Sequence, residues 1–244
     1  MAFQIVNLNN IPSATVGATS SATGFPASRL ASTAPPYVRG WRSTGTTTQT
    51  LTFTFTGSTS VVGCVLYDAN FTSVTVGGVG RTVNPDFFDS FVQNRYKIWV
   101  PFTSTASSQS VVIASQTPTD GAAYFKLGRV HFFTAYTELQ QNPNPEMGIT
   151  GIDPQLVAGD PNGSVYESMS RGPGFILEEW SWLGQQSYAT ELFTIAKIGR
   201  ANPFILYHNL GTDSQVYYMQ RTSEVGARYG TATYDISMSF RQIP

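Results

Sequence analysis

Few residues in this chain are of types that do chemistry, and their spacing limits what that chemistry is. "YVRGWRS" sets Tyr37, Trp41 and Arg42 close together just before a Thr-rich stretch, and "LYDAN" adds Tyr67 and Asn70. Such a set suits a sugar, because an aromatic face covers the apolar side of the ring while Arg or Asn meets its hydroxyls. Tyr37, Trp41, Arg42, Tyr67 and Asn70 are the candidate carbohydrate-binding residues. The same stretch also reads as packing, with Trp41 plugging one end of a β-sandwich and Arg39 or Arg42 bonding loop carbonyls.

Other chemistries find less support. An acyl-transfer triad needs a nucleophile, a base and an orienting acid. The two histidines, His131 in "GRVHFFTAY" and His208 in "FILYHNLG", sit in or at the end of apolar strands and read as packed or edge residues. No G-x-S-x-G elbow surrounds a serine. The single cysteine, Cys64, and two distant histidines supply no paired soft metal ligands. "DFFDS" offers Asp86 and Asp89 as oxygen ligands for a hard cation. "GGVGR" lacks the spacing of a dinucleotide loop and reads as a hairpin turn in which Gly supplies positive φ. Adjacent Glu178 and Glu179 would face opposite sides of a strand, so they cannot be the paired carboxylates of a glycosidase. One is expected in solvent and the other against an Arg. No catalytic residue, cofactor or metal is assigned, and the chain is expected not to be an enzyme.

Composition narrows the partners. Lys and Arg total 14 against 15 Asp and Glu, a net charge of -1, so no long-range attraction draws a polyanion or an anionic membrane surface. Charged residues make up only 12% of the chain, about half the share in an ordinary soluble domain. A surface so weakly charged suits burial against copies of the chain or against other proteins, and it also fits a secreted or cell-surface β domain of Thr/Ser-rich type. Cys64 has no partner for an internal disulfide and reads as a small buried apolar residue. No signal-length or membrane-length apolar run is present, and folding in a cytoplasm is expected.

The elements that must position these residues are mostly strands. "FQIVNL" is a first strand, "SATVGATSSATG" reads as loop, and "FPASRLAS" as a short helical turn. "QTLTFTFTG" alternates Leu51, Phe53 and Phe55 with threonines, the pattern of a half-buried strand. "SVVGCVLYD" is apolar almost throughout and suits burial on both faces. "RYKIWVPF" puts Tyr96, Ile98 and Val100 on one face and Trp99 on the other. Short strands separated by Gly/Pro turns predict a jelly-roll β-sandwich over residues 1–140. The Pro/Gly/Asn-rich stretch 141–164 reads as a linker or arm. Residues 165–244 predict a smaller β domain with one helix. There Tyr188, Leu192, Ile195 and Ala196 form a helical stripe, and the last strand alternates Tyr234, Ile236, Met238 and Phe240.

Two stretches carry resemblances. Trp41–Arg42–Ser43, then the alternating Leu51 to Phe55, then Val61 to Asn70, resemble the discoidin-like, galactose-binding-like jelly rolls over about a third of the chain. The order of helix, "NPFIL", "VYYM" and a terminal amphipathic strand in residues 191–244 is similar to C-terminal domains of tailed-phage minor-tail, distal-tail and baseplate proteins. Together they imply a virion structural protein of the tail tip or baseplate, or an adaptor within the tail. Its partners would be copies of itself and other tail proteins, with a host glycan or fibre protein possible; nucleic acid and membrane insertion are not expected. The alternative is a carbohydrate-binding module facing host-surface glycans.

Overall fold

The computed structural model describes residues 3–32, 40–82, 96–139, 148–152, 155–159, 165–170, 175–185, 202–208, 215–223, 226–229 and 234–243. In chain order the strands of the first half are β1 (Gln4–Asn7), β2 (Ala14–Ala18), β3 (Trp41–Arg42), β4 (Gln49–Ala69), β5 (Ser73–Val76), β6 (Val79–Thr82), β7 (Tyr96–Ile113), β8 (Lys126–Leu127), β9 (Arg129–Phe133) and β10 (Thr137–Glu138). The second half adds β11 (Gly148–Ile152), β12 (Gln155–Gly159), β13 (Val165–Ser170), β14 (Phe175–Gln185), β15 (Phe204–Tyr207), β16 (Val216–Arg221), β17 (Gly226–Tyr229) and β18 (Tyr234–Gln242). Ala27–Ala31 is a 3-10 turn. The fold is mostly β, built of antiparallel sheets.

The sandwich is organised by one long antiparallel pair, β4 and β7. The two strands expected at "QTLTFTFTG" and "SVVGCVLYD" are a single strand, β4, and β7 likewise runs unbroken from Tyr96 to Ile113. The register of the β4–β7 pair shifts between Thr54 and Thr59, and again beyond Val61. Bulges increase local bend and twist, and the pair bends over itself there. Phe53 and Phe55 of its first half thus reach the Phe132 ring of β9, with centroids 5.1 and 5.9 Å apart, although β9 pairs with the second half. Leu51, Phe53, Phe55, Cys64, Leu66, Ile98 and Val100 fill one core between the layers. The β5–β6 hairpin turns on Gly77 (φ 54) and Gly78 (φ 86), both in the left-handed region that an L side chain enters only at a cost.

Val65, Tyr67 and Trp99 point the other way, as strand alternation requires. They pack with Phe133 against Val6, Ile205, Tyr207, Val216 and Tyr218. This seam joins the sandwich to a second sheet, in the order β10-β1-β15-β16-β18-β14-β11, with β17 on β18. Trp99 stacks on Tyr207 at 4.6 Å and 13°. The second sheet curls strongly: β14 and β1 are far apart in strand order, yet Trp180 meets Phe3 edge-on at 5.4 Å. Phe3, Ile5, Trp180, Phe204, Leu206, Met219, Met238 and Phe240 fill its concave side.

Ala14–Ala18, expected as loop, is a strand, because Ala14, Val16 and Ala18 pack on the sandwich core while the backbone pairs with β4. The first strand, Gln4–Asn7, belongs to the second sheet, through β10 and β15. The Pro/Gly-rich stretch holds β11, which pairs with β14, and β12, which forms a separate ribbon with β13. The helix expected near Tyr188 to Ala196 lies outside the described residues. Among the described residues, no helix is long and apolar enough to cross a membrane.

Candidate functional site

Strands β3 and β8 build one end of the sandwich. They pair Trp41 with Leu127 and Arg42 with Lys126. The approach is close: a Cβ on Gly40 would run into the backbone of Leu127 and Gly128, so only glycine fits before β3. Alternation then splits the two residues that "WRS" sets side by side. Trp41 turns inward and is 1% exposed. Its indole Nε1 donates to Ser20 O (2.8 Å) and Ser21 Oγ (3.1 Å), so its polar edge is satisfied inside the protein. Ser43 locks the next step, accepting from Phe125 N (2.8 Å) and donating to Gly45 O (2.6 Å).

Arg42 turns outward and is half-buried. Its guanidinium lies 3.9 Å over the Phe25 ring and 5.2 Å from the Tyr124 ring, within cation–π range of both. Both rings are themselves half-exposed. On the paired strand, Lys126 Nζ meets Asp120 Oδ2 at 2.6 Å. Burial pulls the Asp120 carboxyl upward. Hydrogen bonds from Lys126, Asn70 and the Ala122 amide outweigh it and hold the group below its ordinary value.

Asn70 holds this end together from beneath. It is 3% exposed. Its Nδ2 donates to Asp120 Oδ1 (2.9 Å) and Tyr124 O (3.0 Å), and its Oδ1 accepts from Lys126 N (2.7 Å). Its carbonyl accepts from Thr119 N at 2.8 Å. One buried side chain thus fixes the positions of Asp120, Tyr124 and Lys126.

The five candidate residues therefore divide. Arg42 is presented at the surface. Trp41 and Asn70 lie directly below it as buried supports with no face free for a ligand. Tyr67 is 2% exposed in the seam between the sheets, away from this end. Tyr37 lies outside the described residues, as do Arg39, Asp86 and Asp89. Phe25, Tyr124, Lys126 and Asp120 complete the patch and were not anticipated. Their only sequence signal is the one-residue alternation of Tyr124 and Lys126 about buried Phe125, which says nothing of the partner strand.

The remaining titratable groups are internal. His131 is fully buried in the seam, and neither ring nitrogen has a protein partner. Burial first, then the charge of Arg129, pushes it down to about 3. Burial likewise pushes Tyr218 up to about 12, against the pull of Arg129. Burial also raises the Cys64 thiol well above its ordinary value, as befits an inert core cysteine. Glu178 is fully buried and meets His208 Nε2 at 3.1 Å, and its Oε2 accepts from Trp180 Nε1 at 2.8 Å. The partner expected for one of the glutamates was an Arg; the curl of the second sheet supplies His208 instead. Glu179 is exposed. Among the described residues, no group of three or more His, Cys, Asp or Glu is placed to hold a metal ion.

No family model and no curated protein matches the chain. Solved structures do. Chitosan-binding module 1 from the chitosanase/glucanase of Paenibacillus sp. IK-5 is 20% identical and covers 52% of this chain and 98% of its own, with a TM-score of 0.38. The lectin domain of lectinolysin complexed with Lewis B antigen is 14% identical over 53% of this chain and 99% of its own, with a TM-score of 0.41. Reduced XRCC1 bound to the DNA pol beta catalytic domain is 13% identical over 51% and 98%, with a TM-score of 0.38. Each likeness spans about half of the chain, and none decides what it binds.

Proposed function

We propose that this chain is a non-catalytic binding protein whose sandwich holds a saccharide at the β3–β8 end. The observation that carries this reading is the patch itself. Two half-exposed aromatic rings, Phe25 and Tyr124, stand beside Arg42 and the Lys126–Asp120 pair, with Tyr124, Lys126 and Asp120 held by the buried Asn70. Rings offer an apolar face to a sugar, and rigid polar groups set its orientation. Support fixed before the ligand arrives lowers the entropic cost of binding. The described histidines do not compete as catalytic groups, since both are core residues.

A glycan array with the whole chain, followed by titration calorimetry, tests this. Tyr124→Ala is the decisive variant, because Trp41→Ala would empty a core site and confound binding with folding. Binding to a saccharide that is lost in Tyr124→Ala, with the melting temperature kept, is the expected outcome. A silent array, or binding untouched by that variant, overturns the reading.

A second reading makes the chain a tail-tip, baseplate or adaptor component of a tailed-phage virion. It is supported by the low charge and by β2, an edge strand of sequence ATVGA with neither charge nor proline to deter pairing with another chain. Mass measurement of native material tests it: a ring or virion association supports it, and a stable micromolar monomer counts against it.

A further inference from the structure

The charges of the patch are not balanced, and the imbalance selects a ligand. Lys126 and Asp120 neutralise each other at 2.6 Å. Asp120 is also engaged as an acceptor by Asn70 Nδ2 and Ala122 N, so both its oxygens are occupied. It has little left to offer a sugar hydroxyl. Arg42 is in the opposite state. Its guanidinium touches two rings and, among the described residues, meets no carboxylate or carbonyl. Stacking occupies a face of the guanidinium and restrains its rotation, leaving its edge of N–H donors for another group. A half-buried guanidinium whose donors meet no acceptor among the described residues favours an anionic one, and the planar fork matches a carboxylate with two parallel hydrogen bonds.

We propose that the preferred ligand is an acidic saccharide, a sugar ring bearing a carboxylate, with the carboxylate on Arg42 and the ring against Tyr124. This rests on the saccharide reading above and adds the charge of the sugar to it. The chain as a whole carries a net charge of -1, so the preference comes from this one local cation and not from the overall field.

The test compares trigalacturonate with its fully methyl-esterified form, which keeps the sugar and removes the charge. The whole chain and its Arg42→Gln and Arg42→Lys variants are titrated at low and moderate salt. The acid should bind at least about tenfold more tightly than the ester, with the preference shrinking as salt rises. Arg42→Gln should bring the two ligands to within about twofold of each other. Arg42→Lys should retain part of the preference, since the charge remains and the fork is lost. Should Arg42→Gln fail to fold, the wild-type Arg42 Nε–H resonance answers instead: it should shift with trigalacturonate and not with the ester or with inorganic phosphate at the same concentration. Equal binding of acid and ester, or a preference that survives Arg42→Gln, overturns the acidic-sugar inference and leaves the saccharide reading standing. Failure of every saccharide, on the array and in titration, overturns both.

Discussion

Acidification probes the seam between the two sheets, because His131 is buried there without a hydrogen-bond partner. Its ring nitrogens are both unpartnered, and so is the neighbouring Tyr67 hydroxyl. The ring meets Tyr67 edge-on at 5.9 Å and stacks on Tyr218 at 6.4 Å. Titratable groups on the strands packed around it include Arg129 on its own strand, Cys64 and Asp68 on β4, Lys97 on β7 and Arg221 on β16. Burial and Arg129 lower its folded pKa from 6.5 to about 3. A base with a depressed folded pKa is neutral in the native state and charged in the unfolded one at acid pH. Its contribution to stability is therefore complete above pH 6.5 and is lost progressively as pH falls from 6.5 towards 3. Each pH unit in that window removes ~1.4 kcal/mol, so the loss at pH 5 is about 2 kcal/mol, and about 4–5 kcal/mol at the bottom of the window. The latter is a large share of the ~5–15 kcal/mol that holds an ordinary domain folded.

His131→Leu isolates this effect. No hydrogen bond is lost, because none is made, and an apolar side chain of similar size suits the surrounding rings. Guanidinium unfolding of wild type and variant, at half-unit steps from pH 7.5 to 4.5, gives the difference in stability. Carboxylate effects are common to both proteins and cancel in it. At pH 7 the variant should equal or exceed the wild type. Between pH 7 and 5 the difference should move in the variant's favour by about 2 kcal/mol, and the His131 ring should show no NMR titration while the protein remains folded. A pH-independent difference, or a ring that titrates near 6.5 in the native state, would refute the reasoning.

Three further substitutions test other parts of the structure. Asn70→Ala leaves Tyr124 O, Lys126 N and Asp120 without a shared partner; a loss of about 1–3 kcal/mol should appear in thermal melts, together with weaker saccharide binding. Trp41→Ala should cost about 3–5 kcal/mol through the cavity it opens, far more than Tyr124→Ala at the surface, and the two melting temperatures check this ranking. Glu178→Ala removes the acceptor that His208 Nε2 and Trp180 Nε1 share inside the curled sheet, so a loss of about 1–3 kcal/mol is expected; an unchanged melt would mean that this contact does not hold β14 against β15.

Much of the fold was legible because burial leaves period-two patterns. Leu51, Phe53 and Phe55 face the sandwich core as their alternation with threonine requires. Tyr96, Ile98 and Val100 part from Trp99 as read, into two different cores. The continuous apolar run from Val61 to Tyr67 signals burial on both faces, and the second sheet is what covers the outer one. Legibility ends where a partner is remote. Ala14–Ala18 has the composition of a loop and becomes a strand only because β4 lies alongside. Gln4–Asn7 reads as a strand, but nothing local says that its neighbour is Phe204–Tyr207.

The candidate site shows the same limit more sharply. Trp41 and Arg42 draw attention together because they are adjacent, yet adjacency on a strand is what separates them, one into the core and one to the surface. The aromatic residue that a sugar site needs is thus not the tryptophan. On the proposed reading it is Tyr124, brought to Arg42 by the β3–β8 pairing and held by Asn70, whose side-chain partners lie 50 to 56 residues further along the chain. The amide of Asn70 suggests a ligand contact in the sequence, and it is that amide, turned inward, that holds Asp120, Tyr124 and Lys126. Burying a polar side chain is costly unless its donors and acceptors are met, and those of the Asn70 amide are met. The residues that meet them are therefore the ones whose positions it controls, and the surface built on them is set by long-range register rather than by any local motif.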